Sequence, residues 1–344
     1  RRGIGRGDTV ADMLANTPAM VECHYGVPMA GAVLNTVNIR LDAPAVGFIL
    51  RHSGARAFIV DREWGSVARA ALAEAPEPKP LVVEIADPEA GTSGEAVGGI
   101  EYEAFLATGD AAAPGRMPAD EWESIALSYT SGTTGVPKGV MLTHANLCAN
   151  VRQSLAWNST LREGEERVLA VLPFFHIFAL TAVMNVALVR GSMLVALPRF
   201  DFEAVMAAIR RCKPTLVPGV PTLFKALLDK GATKEDLASL RSCVSGGAPL
   251  PMQVKEDFEA LSGCSVTEGY GLTETTAPAT VNIPGAHRVG TVGLPVAGVT
   301  VKIAEDGEIL IRGPVVFDGY HGMPKASAEA MEDDFFRTGD IGAL

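Results

Sequence analysis

The chain lacks the marks of a secreted, metal-scaffolded or nucleic-acid-binding protein. Its five cysteines, Cys23, Cys148, Cys212, Cys243 and Cys264, include no C-x-x-C pair. An odd, scattered set reads as reduced thiols rather than a disulfide framework or zinc site. The six histidines contain no H-x-x-x-H pair, so zinc gains little support from them either. No Lys/Arg stripe survives in a chain of net charge −11, which argues against a nucleic-acid polymer while leaving a local nucleotide loop open. The start, Arg1-Arg2-Gly3, has no methionine and no apolar leader run; no signal peptide is expected. One long apolar run, Val168 to Val189, could span a bilayer by length. Pro173, His176, Thr181 and Asn185 interrupt it, so it reads as a buried strand, a turn at Pro173 and a buried helix, not a transmembrane span.

What is present points to a large α/β core. Hydrophobic residues make up 48% and charged residues 20% of 344, enough for two domains or one large α/β unit. Helical patterns are read at 18–34, 44–54 and 64–75, with strands at 56–61, 79–85 and 124–130 and a helix from about His144. Strands VLAVLP and SMLVALP flank the helix of the long apolar run. DFEAVMAAIRRC then sets Phe202, Val205, Met206, Ile209 and Cys212 on one helical face. Strand PTLVPGV, helix PTLFKALLDK, strand RSCVSGG and helix PMQVKEDFEALSG follow, the last with Val254, Phe258 and Leu261 inward. After residue 290 the texture turns to strands, with a hairpin pattern around Asp306-Gly307. The expected fold is α/β: stacked α/β subdomains with largely parallel sheets over roughly 1–285, and a small β-rich subdomain over 286–344.

Between the strand at 124–130 and the helix at His144 lies SGTTGVPKGVMLT. Thr130 to Gly139 holds three glycines, four Ser/Thr residues and Lys138. A Walker A loop requires G-x-x-x-x-G-K-[ST]; counted from Gly132, Pro137 replaces the second glycine and Gly139 the hydroxyl. The Walker A reading fails. A phosphate cradle of another kind remains: glycines at 132 and 135 let N–H groups turn toward an anion, hydroxyls at 131, 133 and 134 donate, and Lys138 brings a mobile charge. Read as following a strand and preceding a helix, the loop sits where α/β sheets bind nucleotides. The plainer alternative is a surface turn.

YTSGTTGVPKG with THANL after it resembles the signature of the adenylate-forming (AMP-binding) superfamily, and within it the acyl-CoA synthetase and fatty-acid–CoA ligase branch. VLPFFHIFAL, VSGGAPLP, EGYGLTETT, VGTVGLPVAG, GEILIRGP and FFRTGD follow in family order. The resemblance implies that Thr130, Ser131, Gly132, Thr133, Thr134, Gly135 and Lys138 grip the phosphates. It places Gly247, Ala248, Pro249, Glu268, Gly269, Tyr270 and Gly271 along adenine and the acyl chain, and assigns His176 to the mouth of the acyl site. A buried core histidine is the competing reading for His176. Thr273 would reach the α-phosphate, Glu274 would ligate Mg²⁺ with Thr130 as second ligand, and Asp340 would accept the ribose hydroxyls. The residue types suit those tasks: an aromatic face, a hydroxyl, a hard carboxylate and a short acceptor. A Rossmann reading fails because Glu274 stands at the third glycine position of G-x-G-x-x-G.

The implied reaction joins a carboxylic acid, ATP and coenzyme A with Mg²⁺ as cofactor: acyl-AMP and pyrophosphate form, then a thiol displaces AMP. G-x-S-x-G is absent, which weighs against an esterase. A fatty or medium-chain acid is the first expectation. A 4-coumarate-type aryl acid is its rival, and a nucleotide-binding module without ligase activity stands as the reading from another class. The chain stops at Leu344, four residues past Asp340, where the family continues into a lid domain. The expectation is a large N-terminal domain, trimmed at its start, that binds ATP or AMP but adenylates feebly. A cytoplasmic setting is expected, with room for peripheral membrane contact and a homodimer.

Overall fold

The computed structural model describes residues 2–75, 77–88, 94–130, 136–158, 160–283, 288 and 290–344. Contacts divide the chain into two compact units, residues 1–144 with 318–327, and residues 145–317 with 328–344. The division does not fall at the change of texture near residue 285, because Leu294–Pro295 pairs with Ala277–Val281 and the sheet runs through that point.

The first unit is built on an eight-stranded sheet in the order Gly319–Tyr320, Lys138–Thr143, Ser124–Thr130, Val33–Thr36, Thr9–Met13, Ala57–Asp61, Leu81–Ile85, Ile100–Glu101. From Ser124–Thr130 to Ile100–Glu101 every pairing is parallel, while Lys138–Thr143 runs antiparallel to both its neighbours. Met13, Phe58, Val46, Ile49 and Ala68 form a buried core with helices Ala43–His52 and Gly65–Ala73. Asp42 caps the first of these through its carboxylate to Ala45 N–H, 3.1 Å.

Two sequence expectations change here. The helix read over 18–34 ends at Met29; Pro28 and the left-handed Gly31 (φ +86°) break it. Val33–Thr36 is a strand, and buried on both faces it lacks the alternation that identifies a strand from sequence. The second correction concerns the glycine loop. It precedes a strand, Lys138–Thr143, whose register sets Lys138 opposite Thr130. The loop therefore joins two antiparallel strands and does not open a helix. Val140 and Leu142 are fully buried, and this alternation within KGVMLT favours the strand.

The second unit carries a seven-stranded sheet in the order Leu294–Pro295, Ala277–Val281, Val266–Leu272, Ser242–Ser245, Leu216–Gly219, Arg167–Ala170, Met193–Ala196. It is parallel from Val266–Leu272 to Met193–Ala196. Helix Phe202–Cys212 buries Val205, Met206 and Ile209, as its periodicity predicts. Phe258 of Met252–Ser262 meets Phe224 edge-on at 5.0 Å, with Val254 and Leu261 packed against the same core. The long apolar run becomes strand Arg167–Ala170, a π-helical stretch Ala179–Asn185 and helix Val186–Val189. No helix among the described residues is long and apolar enough to cross a membrane. A four-stranded antiparallel sheet, Thr300–Ile303, Glu308–Arg312, Phe335–Ile341 and Met331–Glu332, includes the expected hairpin at Asp306-Gly307.

Candidate functional site

The parallel strands of the second unit end together and release the segments that build a cavity. Ligands in open α/β sheets bind at these carboxyl ends. The cavity holds about 80 Å³ of water-accessible space. Six residues singled out from sequence line it: His176, Gly247, Gly269, Tyr270, Gly271 and Thr273. They come from three separate stretches of chain, so the fold has brought them together.

Two glycines keep this wall thin. A Cβ on Gly246 would stand 3.2 Å from the Phe178 ring and 3.5 Å from the Gly269 carbonyl. A Cβ on Gly271 would fall 1.8 Å from the carbonyl oxygen of Ala277, where no side chain fits. That contact arises because Val266–Leu272 turns back through Thr273–Thr275 into Ala277–Val281, with a register shift at Tyr270/Gly271. Thr276 and Ala277 take positive φ, 60° and 95°, a concentration of backbone strain of the kind found beside functional sites.

Tyr270 joins the cavity to the small sheet. Its hydroxyl donates to Asp340 Oδ2 at 2.7 Å, and burial together with that carboxylate pushes the phenol pKa well up. Asp340 itself is exposed. His176 is no sealed core residue: its ring is accessible, and it lines the cavity. Enough protein surrounds it that desolvation lowers its pKa, favouring neutral imidazole.

Other predicted residues stand apart from the lining. Glu274 is buried in the turn directly after Thr273, its carbonyl accepting from Phe317 N–H at 2.9 Å. Ala248 and Pro249 are exposed in the loop before Met252–Ser262, and Glu268 is half-buried on the strand that carries Tyr270. Among the described residues no group of three or more His, Cys, Asp or Glu side chains is gathered to hold a metal.

The first unit holds Thr130 and Lys138 at the facing ends of their hairpin. Lys138 Nζ lies 4.9 Å from the centre of the Tyr320 ring, which retains the cation over an aromatic face. Tyr129 is hydrogen-bonded to His52 Nδ1 at 2.8 Å, and His52 meets His321 edge-on. Desolvation and then the His321 charge lower the His52 pKa. Ser131, Gly132, Thr133, Thr134 and Gly135, predicted as the phosphate grip, lie outside the described residues.

Several site residues escaped the sequence reading. Ser154, Trp157, Phe178 and Ser245 all line the cavity. Phe178 and Ser245 sit inside motifs already quoted, beside the residues chosen. Ser154 and Trp157 end an otherwise ordinary helix, His144–Trp157, and carried no signal.

Comparison with known proteins places the chain among relatives of named activity. The chain is 33% identical over 372 residues to a long-chain-fatty-acid–CoA ligase of Bacillus subtilis, covering 99% of this chain and 66% of that protein. It is 36% identical over 382 residues to the peroxisomal acetate/butyrate–CoA ligase of Arabidopsis thaliana, with the same two coverages. The chain thus spans about two thirds of the length of these relatives. ATP-bound MatB from Rhodopseudomonas palustris superposes with a TM-score of 0.84 at 27% identity, over 100% of this chain and 67% of that one. The family model described as AMP-binding enzyme matches residues 1–321, a stretch that includes the glycine loop and every cavity residue predicted from sequence, and on that match the chain belongs to the AMP-binding enzyme family.

Proposed function

We propose that this protein activates a carboxylic acid with ATP and passes the acyl group to coenzyme A. The carrying observation is the convergence of Gly247, Tyr270, Thr273 and His176 on one cavity, with Asp340 tied to Tyr270. In the proposed reaction a carboxylate oxygen attacks the α-phosphorus and the bond to the β-phosphate breaks. Pyrophosphate leaves, and acyl-AMP remains. The thiolate of coenzyme A then attacks the acyl carbon, and AMP departs with the former carboxylate oxygen. No protein nucleophile enters either step.

The protein's part is positioning and charge stabilisation. Tyr270 offers adenine a ring face, and Asp340, held through Oδ2, keeps Oδ1 for the ribose hydroxyls. Thr273 donates to the α-phosphate, and Lys138 contacts the phosphates as a point charge. The buried carboxylate of Glu274 is a hard oxygen donor suited to an ion such as Mg²⁺ that arrives with nucleotide phosphates and keeps waters; the ion would neutralise phosphate charge. The cavity wall is mostly apolar, with Ile177, Phe178, Leu216, Pro218 and Val281, which favours an acid with an apolar body. A fatty or medium-chain acid remains the first reading and an aryl acid the second.

ATP–pyrophosphate exchange with a panel of carboxylic acids tests the proposal. Exchange that requires an acid supports it, and no exchange with any acid leaves a nucleotide-binding module instead. Within the site, Tyr270→Phe keeps the ring and removes the hydroxyl that bonds Asp340 and also meets the Thr338 side chain. The expected result is a rise of about fivefold in KM for ATP with little change in maximal rate, the size of one ordinary hydrogen bond. An unchanged KM in initial-rate measurements would contradict the ribose role of Asp340.

A further inference from the structure

One side-chain cluster of the first unit has no step in the proposed reaction, yet it stands directly beside Lys138. Thr130 and Lys138 form the last register pair of their hairpin, and the pair before it is Tyr129 with Gly139. The Tyr129 ring lies across that glycine: a Cβ there would stand 3.0 Å from Tyr129 Cζ. An aromatic ring laid over a cross-strand glycine supplies the packing that glycine lacks. At the far end of the ring, the Tyr129 hydroxyl reaches His52 Nδ1 at 2.8 Å.

His52 is held on its other sides as well. Phe48, one turn earlier on helix Ala43–His52, stacks on the imidazole with ring centres 5.2 Å apart, and the His321 ring meets it edge-on at 5.6 Å. The circuit closes through the backbone, because His321 N–H donates to the Gly139 carbonyl at 2.8 Å. Tyr320, next to His321, carries the ring over which Lys138 Nζ rests. Burial pushes the Tyr129 phenol pKa up, while desolvation and the neighbouring His321 lower that of His52. The hydroxyl therefore donates, and a neutral Nδ1 accepts.

We propose that His52 is a positioning residue for Lys138, acting through Tyr129 and the glycine that its ring covers. This role rests on the phosphate contact of Lys138 in the acid-activation reading above. Lysine is a point charge on a flexible stem, so its grip depends on where the strand end is held. The hairpin itself does not need His52, since its register pairs continue from Tyr129 and Gly139 back to Ser124 and Thr143. What the imidazole adds is a fixed ring at the pair adjoining the lysine. Small displacements of a positioning group are costly in catalysis.

The test is initial-rate ATP–pyrophosphate exchange with an acid that wild type accepts, on His52→Ala, His52→Asn, Tyr129→Phe and the double variant of His52→Ala with Tyr129→Phe. Thermal unfolding of each is followed alongside. His52→Ala is expected to raise KM for ATP about fivefold, the scale of one lost hydrogen bond, while KM for the acid stays within about twofold. Tyr129→Phe should match it, and the double variant should be no worse than either single variant, because both remove the same bond. His52→Asn, whose Oδ1 accepts close to the place of Nδ1, should recover most of the loss. An unchanged KM for ATP in His52→Ala would overturn the inference and leave acid activation standing. So would additive losses in the double variant, or equal changes in both KM values together with a lowered Tm, the mark of a merely structural role. Absence of exchange by wild type with every acid would overturn acid activation, and this inference with it.

Discussion

Replacing Glu274 with glutamine is expected to cut acid-dependent ATP–pyrophosphate exchange by about 10²–10³-fold, the size of effect seen when one preorganised stabiliser of transition-state charge is removed. The substitution keeps side-chain volume and removes the charge. Its turn is held by other groups. Leu272 N–H donates to Thr275 Oγ1 at 2.8 Å, Thr276 N–H to the Thr273 carbonyl at 3.0 Å, and Thr276 Oγ1 to the Val315 carbonyl at 2.6 Å. Thermal unfolding of Glu274→Gln should therefore stay close to wild type while exchange collapses. The residual activity should need more Mg²⁺ for half-saturation, since the ion loses its protein carboxylate. Exchange within threefold of wild type would remove Glu274 from the site.

Asp12→Val is expected to stabilise the fold by about 3 kcal/mol at pH 8, the combined scale of an unpaired buried polar group and a suppressed charge. Asp12 sits in the strand Thr9–Met13, in register with Thr36 on one side and Ile59 on the other. It is fully buried, and neither carboxylate oxygen has a partner among the described residues. Burial alone pushes its pKa well above 3.8. The sign follows from proton binding: above 3.8 the unfolded carboxyl is ionised while the folded one stays protonated. Stability is therefore lost as pH rises from 3.8 toward the folded pKa. His52 acts oppositely, because its lowered folded pKa costs stability as pH falls below 6.5. Comparing Asp12→Val with wild type cancels the histidine contribution. Urea unfolding at pH 5 and pH 8 should show an advantage for the variant that grows with pH, by up to about 1.4 kcal/mol per unit. An advantage independent of pH would mean that Asp12 does not stay protonated in the fold.

Asp12 also marks a limit of sequence reading. In TVADM an acid among apolar residues looks like the solvent face of a half-buried strand, yet a central parallel strand has no solvent face. The same two-sided burial hid Val33–Thr36 within an apparent helix. Where one face is wet the pattern was legible: Phe202–Cys212 follows its predicted stripe, and Asp306-Gly307 turns the hairpin between Thr300–Ile303 and Glu308–Arg312. At the site, His176, Tyr270 and Thr273 were legible because local motifs carry them. Tyr320, which lies under Lys138, and the wall formed by Ser154 and Ser245 depend on contacts between distant segments, and neither spacing nor residue type announces them.

The central claim is that a carboxylate oxygen attacks the α-phosphorus of ATP. The direct measurement is isotope transfer from an acid labelled with ¹⁸O in its carboxylate, in a complete reaction with ATP, Mg²⁺ and coenzyme A, with mass analysis of the nucleotide. The account predicts AMP carrying one ¹⁸O and unlabelled pyrophosphate. ADP with labelled inorganic phosphate, the signature of attack at the γ-phosphorus, or AMP without label, would contradict it.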